Sequence, residues 1–201
     1  MKKMENIKKP KVSICVPFHW MENWPFFLER CLNSIEKQTF KDYEIILIKH
    51  SIMPITSNRV IESATGEIIK VLYMDDWLAS PNYLEEISKA FENKDVEWLI
   101  TAATTNENPY WTDNIETGNN KLGSPSALAF RRRYGDNELF DPELSWMLDC
   151  DLYKRMENRF GNPLILTNVE VGIGVHPGQM TNILTDEEKQ KEFNYSLNKY
   201  K

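Results

Sequence analysis

Along the first half of the chain, short unbroken apolar runs alternate with stretches whose apolar residues recur every three to four positions. Residues 11–17 (KVSICVP), 43–48 (YEIILI), 67–74 (EIIKVLYM) and 96–102 (VEWLITA) are of strand length, and apolar residues dominate each of them, as expected of buried strands. Between the first two, residues 23–38 place Trp24, Phe27, Leu28, Cys31 and Ile35 at helical spacing. Residues 57–64 predict a short helix with Gly66 just beyond its end, and residues 81–92 a helix with Pro81 in its first turn. This alternation predicts an α/β fold: one compact domain with a mostly parallel sheet and helices on both faces. The second half is less regular. Residues 104–123 are rich in Asn, Thr and Gly yet hold Tyr110 and Trp111, and loops of that length are usually functional or disordered. A strand at 126–130, a helix at 144–156, a last strand at 169–175 and a charged surface helix after Thr185 complete the pattern. The expected organisation is a tail (1–10), one domain (11–182) and a charged C-terminal helix or tail (183–201).

In open parallel sheets, ligands bind beyond the carboxyl ends of the strands. That directs attention to Phe18, His19 and Trp20, to Lys49, His50 and Ser51, and above all to Asp75 and Asp76, followed by Trp77. Two adjacent carboxylates at a strand end repel each other unless a cation or hydrogen-bond donors compensate. Mg²⁺ and Mn²⁺ take such hard oxygen ligands. A plain surface turn, with one Asp capping the helix near Pro81, accounts for the pair better on local grounds alone. Asp149 reads either as a working carboxylate or as a helix first-turn acid favoured by the dipole. Asp151 stands four residues before Arg155, and an i,i+4 ion pair explains it. Arg131 and Arg132 read as a solvated face.

With the elements in this order, five segments together resemble the family 2 glycosyltransferases of GT-A fold, over about residues 11–181. They are KVSICVPFHW, FLERCLNSIEKQTFKDYEIILI, SNRVIESATGEIIKVLYMDDW, LGSPSALAFRR and FDPELSWMLDCDLYKRM. The resemblance implies a GT-A, Rossmann-like fold and an inverting transfer of sugar from a nucleoside-diphosphate sugar to a carbohydrate or glycoconjugate hydroxyl, as in polysaccharide biosynthesis. It further implies Mn²⁺ or Mg²⁺ at Asp75 and Asp76, with His176 of GVHPGQMT near a third metal or diphosphate position, and Asp149 as general base. On the donor side it places Pro17, Phe18, His19, Lys49, Asn58, Arg59, Tyr73 and Asp75, and on the acceptor side Trp77, Gly123 and Ser124. The chain departs from the family pattern where Lys49 and His50 replace an Asp pair, where Tyr73 replaces an Asp, where Leu148 replaces an acid, and in a shortened connection before Asn58.

Composition narrows the alternatives. A net charge of −6 gives no general attraction to nucleic acid or anionic lipid. No apolar stretch approaches the ~20 residues of a membrane span, and MKKMENIKK lacks the apolar segment of a signal peptide, so a lipid-borne acceptor would require peripheral docking. Cys15, Cys31 and Cys150 are odd in number, widely spaced and set in apolar patterns, which reads as reduced core thiols of a cytoplasmic protein. Tyr-Met-Asp-Asp also occurs in reverse transcriptases, but an acidic chain of this length with strand–helix alternation does not fit that architecture. A sugar nucleotidyltransferase would need a Gly-rich phosphate loop after the first strand, and PFHWMENW has no Gly. A non-catalytic nucleotide-sugar-binding module remains the main rival to an enzyme.

Overall fold

A computed structural model describes residues 8–49, 53–105, 108–110, 124–132 and 139–200. Expectations placed on His50, Ser51, Trp111 and Gly123 lie outside these residues. The elements run β1 (Val12–Phe18), α1 (Trp24–Glu36), β2 (Tyr43–Lys49), α2 (Met53–Glu62), β3 (Ile68–Val71), β4 (Trp77–Leu78), α3 (Tyr83–Ala90), β5 (Trp98–Thr105) and β6 (Asn108–Tyr110). After a short 3₁₀ turn (Pro125–Ala127) come β7 (Leu128–Arg131), α4 (Leu148–Phe160), β8 (Leu164–Gly172), α5 (Met180–Ile183) and α6 (Asp186–Lys199).

The strands form one sheet in the order β2-β1-β3-β7-β5-β8-β4, with β6 paired to β5. β1 is parallel to β2 and β3, β5 is parallel to β8, and β7 lies antiparallel between β3 and β5. Five strands therefore point one way, and the short β4, β6 and β7 point the other. The expected mostly parallel sheet is present. Its carboxyl-terminal rim carries the turn after β3 and the segment after β8.

Alternation along β1 explains why there are two cores. Val12, Ile14 and Val16 face α1 and α3, against Cys31, Ile35, Tyr83, Leu84 and Ile87. Cys15 faces the other side, toward Val60 and Ile61 of α2 and Leu152, Tyr153 and Met156 of α4. Helices on both faces thus follow from a period of two in the strands and 3.6 in the helices, each large apolar side chain contributing about 1.5–3 kcal/mol on burial. All three cysteines are buried, unpaired thiols. No described helix is long and apolar enough to cross a membrane.

Several elements differ from the sequence pattern for identifiable reasons. β2 reads as buried, but it is an edge strand, and Ile45 and Leu47 remain 40% and 41% exposed. α2 begins four residues earlier than its apolar spacing suggests. β5 runs to Thr105 and turns back into β6, which takes up the start of the predicted long loop. The two-residue β4 has no signal of its own; it forms because Trp77 and Leu78 pair with Gly172 and Val171 of β8. Arg131 is not on a solvated face: it pairs with Glu67 at 2.7 Å and donates to the carbonyls of Phe91, Asn93 and Val96. The C-terminal helix is charged as expected, and Thr185 and Glu188 close a reciprocal capping box at its start. It also packs: Ser196 is buried and Phe193 lies against the core.

Candidate active site

β3 ends at Val71, and the chain turns sharply so that the Asp76 amide donates to the Tyr73 carbonyl at 2.9 Å. The turn separates the two acids. Asp76 points inward and is 2% exposed. Gly174 N–H donates to its Oδ1 at 2.9 Å and the Ser124 hydroxyl to its Oδ2 at 3.1 Å. Burial and the neighbouring Asp75 charge push its pKa up, against the pull of Ser126, Gly174 and Ser124. Asp75 is turned toward solvent, its Oδ2 2.9 Å from His176 Nε2. Because Gly178 N–H donates to His176 Nδ1 at 3.1 Å, the proton of the neutral ring sits on Nε2 and is given to Asp75. His19 stands beside them with its Nδ1 buried and unpartnered. Burial lowers its pKa, outweighing the opposing effect of Asp75, so it is a neutral imidazole near pH 7.

Three residues without a motif signal hold this turn. Arg30 of α1 donates to the Asp75 carbonyl and lies 4.1 Å above the Trp77 ring. Gly174 permits close approach: a Cβ there would sit 2.1 Å from the Asp75 carbonyl oxygen. Lys70 is fully buried under the turn, donating to the carbonyls of Ser126 and, at 3.4 Å, Leu128. Burial lowers its pKa to about 7, with Asp76 acting in the opposite direction. A lysine on the same face as Ile68 and Leu72, inside an apolar run, was the one visible sign of it.

Asp75, Asp76, His19, His176, Tyr73, Ser124 and Asp149 all border one cleft of about 510 Å³, a size that suits a small ligand. Asp149 lies in the first turn of α4, 7% exposed, with its Oδ1 accepting the Cys150 amide at 2.8 Å. The Tyr73 phenol meets the Ser57 hydroxyl at 3.2 Å. Burial, with Asp149, Asp75 and Asp76 nearby, raises its pKa and keeps it neutral. Apolar lining comes from Met53, Trp146, Met147, Leu148, Ile173 and Met180, of which the sequence singled out Leu148 alone, as a departure from the family pattern.

Other predicted residues lie outside the lining of this cleft. Pro17 is buried in β1, and Phe18 packs on Trp24 with ring centroids 6.2 Å apart. Lys49 Nζ lies 3.2 Å from the centroid of the exposed Trp20 ring. Both ends of the Asn58 amide are taken by the Phe140 backbone, at 2.8 and 2.7 Å. Arg59 is exposed on α2. The Trp77 ring is filled in between Arg30 and Gly172 rather than lining the cleft. Asp151 is fully buried and pairs with Arg155 Nε at 2.9 Å, as its spacing predicts.

Among the described residues no group of three or more His, Cys, Asp or Glu side chains could hold a metal ion. Asp75 nevertheless supplies a carboxylate at the cleft, and His176 beside it an imidazole whose Nε2 would become a ligand once it no longer carries the proton given to Asp75. That fits a cation completed by ligand oxygens and water, the usual manner of Mg²⁺, and does not fit an all-protein cage.

No protein-family model matches the sequence, and no curated protein matches it significantly. Solved structures do. S. aureus TarS 1–349 in complex with UDP-GlcNAc is similar with a TM-score of 0.69 and 14% identity, over 93% of this chain and 66% of that one. The same fragment with UDP gives 0.62 and 15%, over 94% and 71%. Mannosyltransferase PcManGT from Pyrobaculum calidifontis, in complex with GDP-Man and Mn²⁺, gives 0.59 and 14%, over 86% and 59%. The fold is GT-A. At such identities the likeness is one of fold, and this chain spans 43% of the longer TarS structure.

Proposed function

We propose that this protein is an inverting glycosyltransferase that moves a sugar from a nucleoside-diphosphate sugar to a hydroxyl of a carbohydrate or glycoconjugate acceptor. The observation that carries this reading is the meeting of the Asp75–His176 pair and Asp149 in one cleft at the carboxyl rim of a GT-A sheet. The TarS and PcManGT structures contain UDP-GlcNAc and GDP-Man, which makes sugar nucleotides the first donors to try here.

Asp75 and His176 would hold Mn²⁺ or Mg²⁺, whose chemistry when bound is to offset the charge of the departing diphosphate. Asp76 keeps the turn in place through its buried bonds to Gly174 and Ser124. Tyr73, a neutral phenol, adds no further negative charge beside the diphosphate. Asp149, in the first turn of α4 where the helix dipole favours a negative charge, takes the proton of the attacking acceptor hydroxyl.

The test is titration of UDP-, GDP- and dTDP-sugars with and without Mn²⁺, followed by turnover of whichever binds. Asp75→Ala should lower transfer about 10³-fold, of the size seen when charge stabilisation of a leaving group is lost, with no loss of folded protein. Full turnover by Asp75→Ala would overturn the reading. Binding without turnover of any donor would mark a non-catalytic nucleotide-sugar-binding module. Synthesis of a sugar nucleotide from a nucleoside triphosphate and a sugar phosphate would mark a nucleotidyltransferase. A product with retained anomeric configuration would remove the inverting mechanism alone.

A further inference from the structure

One carboxylate of α6 bonds the main chain that borders the cleft. Glu192 accepts the backbone N–H of Ser145 on Oε1 at 3.0 Å, and those of Trp146 and Met147 on Oε2 at 2.8 and 2.9 Å. These three residues immediately precede α4, and they border the cleft. Amides at a helix start have no intrahelical acceptor. The usual remedy is an N-cap side chain, but the N-cap residue here is Met147, which makes no such bond. For the Met147 amide, and for the two before the helix, the acceptor comes from a helix later in the chain, 45 residues beyond Met147.

α6 is itself anchored to the same region. The Tyr195 hydroxyl and Lys199 Nζ both bond Asp141 Oδ2, at 3.0 and 2.7 Å, and the Tyr200 hydroxyl bonds Asp151 Oδ1 at 2.6 Å. The carboxylate is therefore delivered from a fixed platform onto a fixed trio of amides. Two residues beyond that trio stands Asp149. The donor-side groups, by contrast, ride on the β3–β4 turn and the segment after β8.

We propose that Glu192 is a positioning residue for the acceptor wall: it sets the main chain of 145–147 and, through it, the aim of the Asp149 carboxylate. The inference rests on the transferase reading for its kinetic consequence. Its geometric part stands apart from that reading.

The test compares Glu192→Ala and Glu192→Gln with Thr185→Ala, which removes the α6 cap but leaves Glu192 in place. Glu192→Ala should reduce kcat at least 10-fold at unchanged donor affinity, with Glu192→Gln intermediate because one acceptor oxygen survives. Thr185→Ala should keep kcat within about 2-fold while lowering Tm comparably. Amide hydrogen exchange at 145–149 should quicken selectively in both Glu192 variants. Equal kcat losses in Glu192→Ala and Thr185→Ala would overturn the proposal, as would unchanged exchange at 145–149 in Glu192→Gln. Should the wild type transfer no sugar, the exchange measurement decides the positioning role on its own, and only the transferase reading falls. If Glu192→Ala does not fold, Glu192→Gln carries both readouts.

Discussion

The two walls of the cleft are built by different means. On the proposed donor wall, Asp75 and Asp76 follow β3 within a few residues, in a turn that Arg30 holds and that the Gly174 amide and Ser124 hydroxyl complete around Asp76. On the proposed acceptor wall, the main chain of 145–147 is bonded by Glu192, and Asn58 clamps Phe140, in the chain leading to it, from 82 residues away. A turn at the end of a central strand thus presents one side, and the C-terminal helix braces the other. The difference teaches that the donor wall should tolerate damage to the C-terminal helix, whereas the acceptor wall should respond to it.

Asp149→Asn is the largest expected effect. An amide keeps the shape of the α4 start but cannot take a proton, so kcat should fall by about 10²–10⁴. Donor affinity, which belongs to the opposite wall, should not move. Steady-state kinetics with a parallel donor titration checks both, and a matching loss of donor affinity would break the comparison.

Gly174→Ala strikes the donor wall instead. The added Cβ would meet the Asp75 carbonyl oxygen at 2.1 Å and the Arg30 guanidinium at 2.9 Å. Backbone cannot step aside as a side chain can, so overpacking should cost about 2–3 kcal/mol. Urea unfolding would show a lower midpoint at unchanged slope. Unchanged stability would mean that the turn is not held where Arg30 and Asp76 place it.

These contrasts also explain what could be read from the sequence. The parallel core, α1 and the acids after β3 rest on local periodicity, and they were legible. His176 could be singled out because it follows a strand, although its pairing with Asp75 spans 101 residues. Asp76 as a second outward ligand could not be tested by pattern, since only the Gly174 amide and Ser124 hydroxyl decide where it points. The resemblance places Trp77 on the acceptor side, and nothing near it in sequence shows that Gly172, 95 positions on, makes room for its ring on β8. Glu192 left no trace, being one of many acids in a charged helix. A side chain that caps another element has no periodic signature.

Lys70 tests the floor beneath the donor wall. Its folded pKa is about 7 and its ordinary value 10.5, so between these the unfolded chain binds more protons. The contribution of Lys70 to stability should then rise as pH climbs from about 7 toward 10, the folded state bearing the full cost of the buried ammonium below that window. Lys70→Met removes the group, so its stability relative to wild type should be greatest at pH 7 and fall by about 2 kcal/mol by pH 9. The difference between the two proteins cancels the cysteines common to both. A pH-independent difference would mean that the ammonium is not buried as described.

The smallest effects separate two neighbours on α2. Asn58→Ala strips the Phe140 N–H and C=O of their partners, and unpaired backbone groups of this kind cost about 1–2 kcal/mol. Because the Phe140 segment leads to the acceptor wall, kcat should fall modestly while donor affinity holds. Arg59 has its side chain in solvent, and its carbonyl bonds to Ser63 survive any substitution. Arg59→Ala should therefore stay within about 0.5 kcal/mol of wild type and bind donor equally well. Thermal unfolding and a donor titration on both variants suffice. A weaker donor affinity in Arg59→Ala alone would extend the donor wall onto α2 and return that residue to the role its resemblance implied.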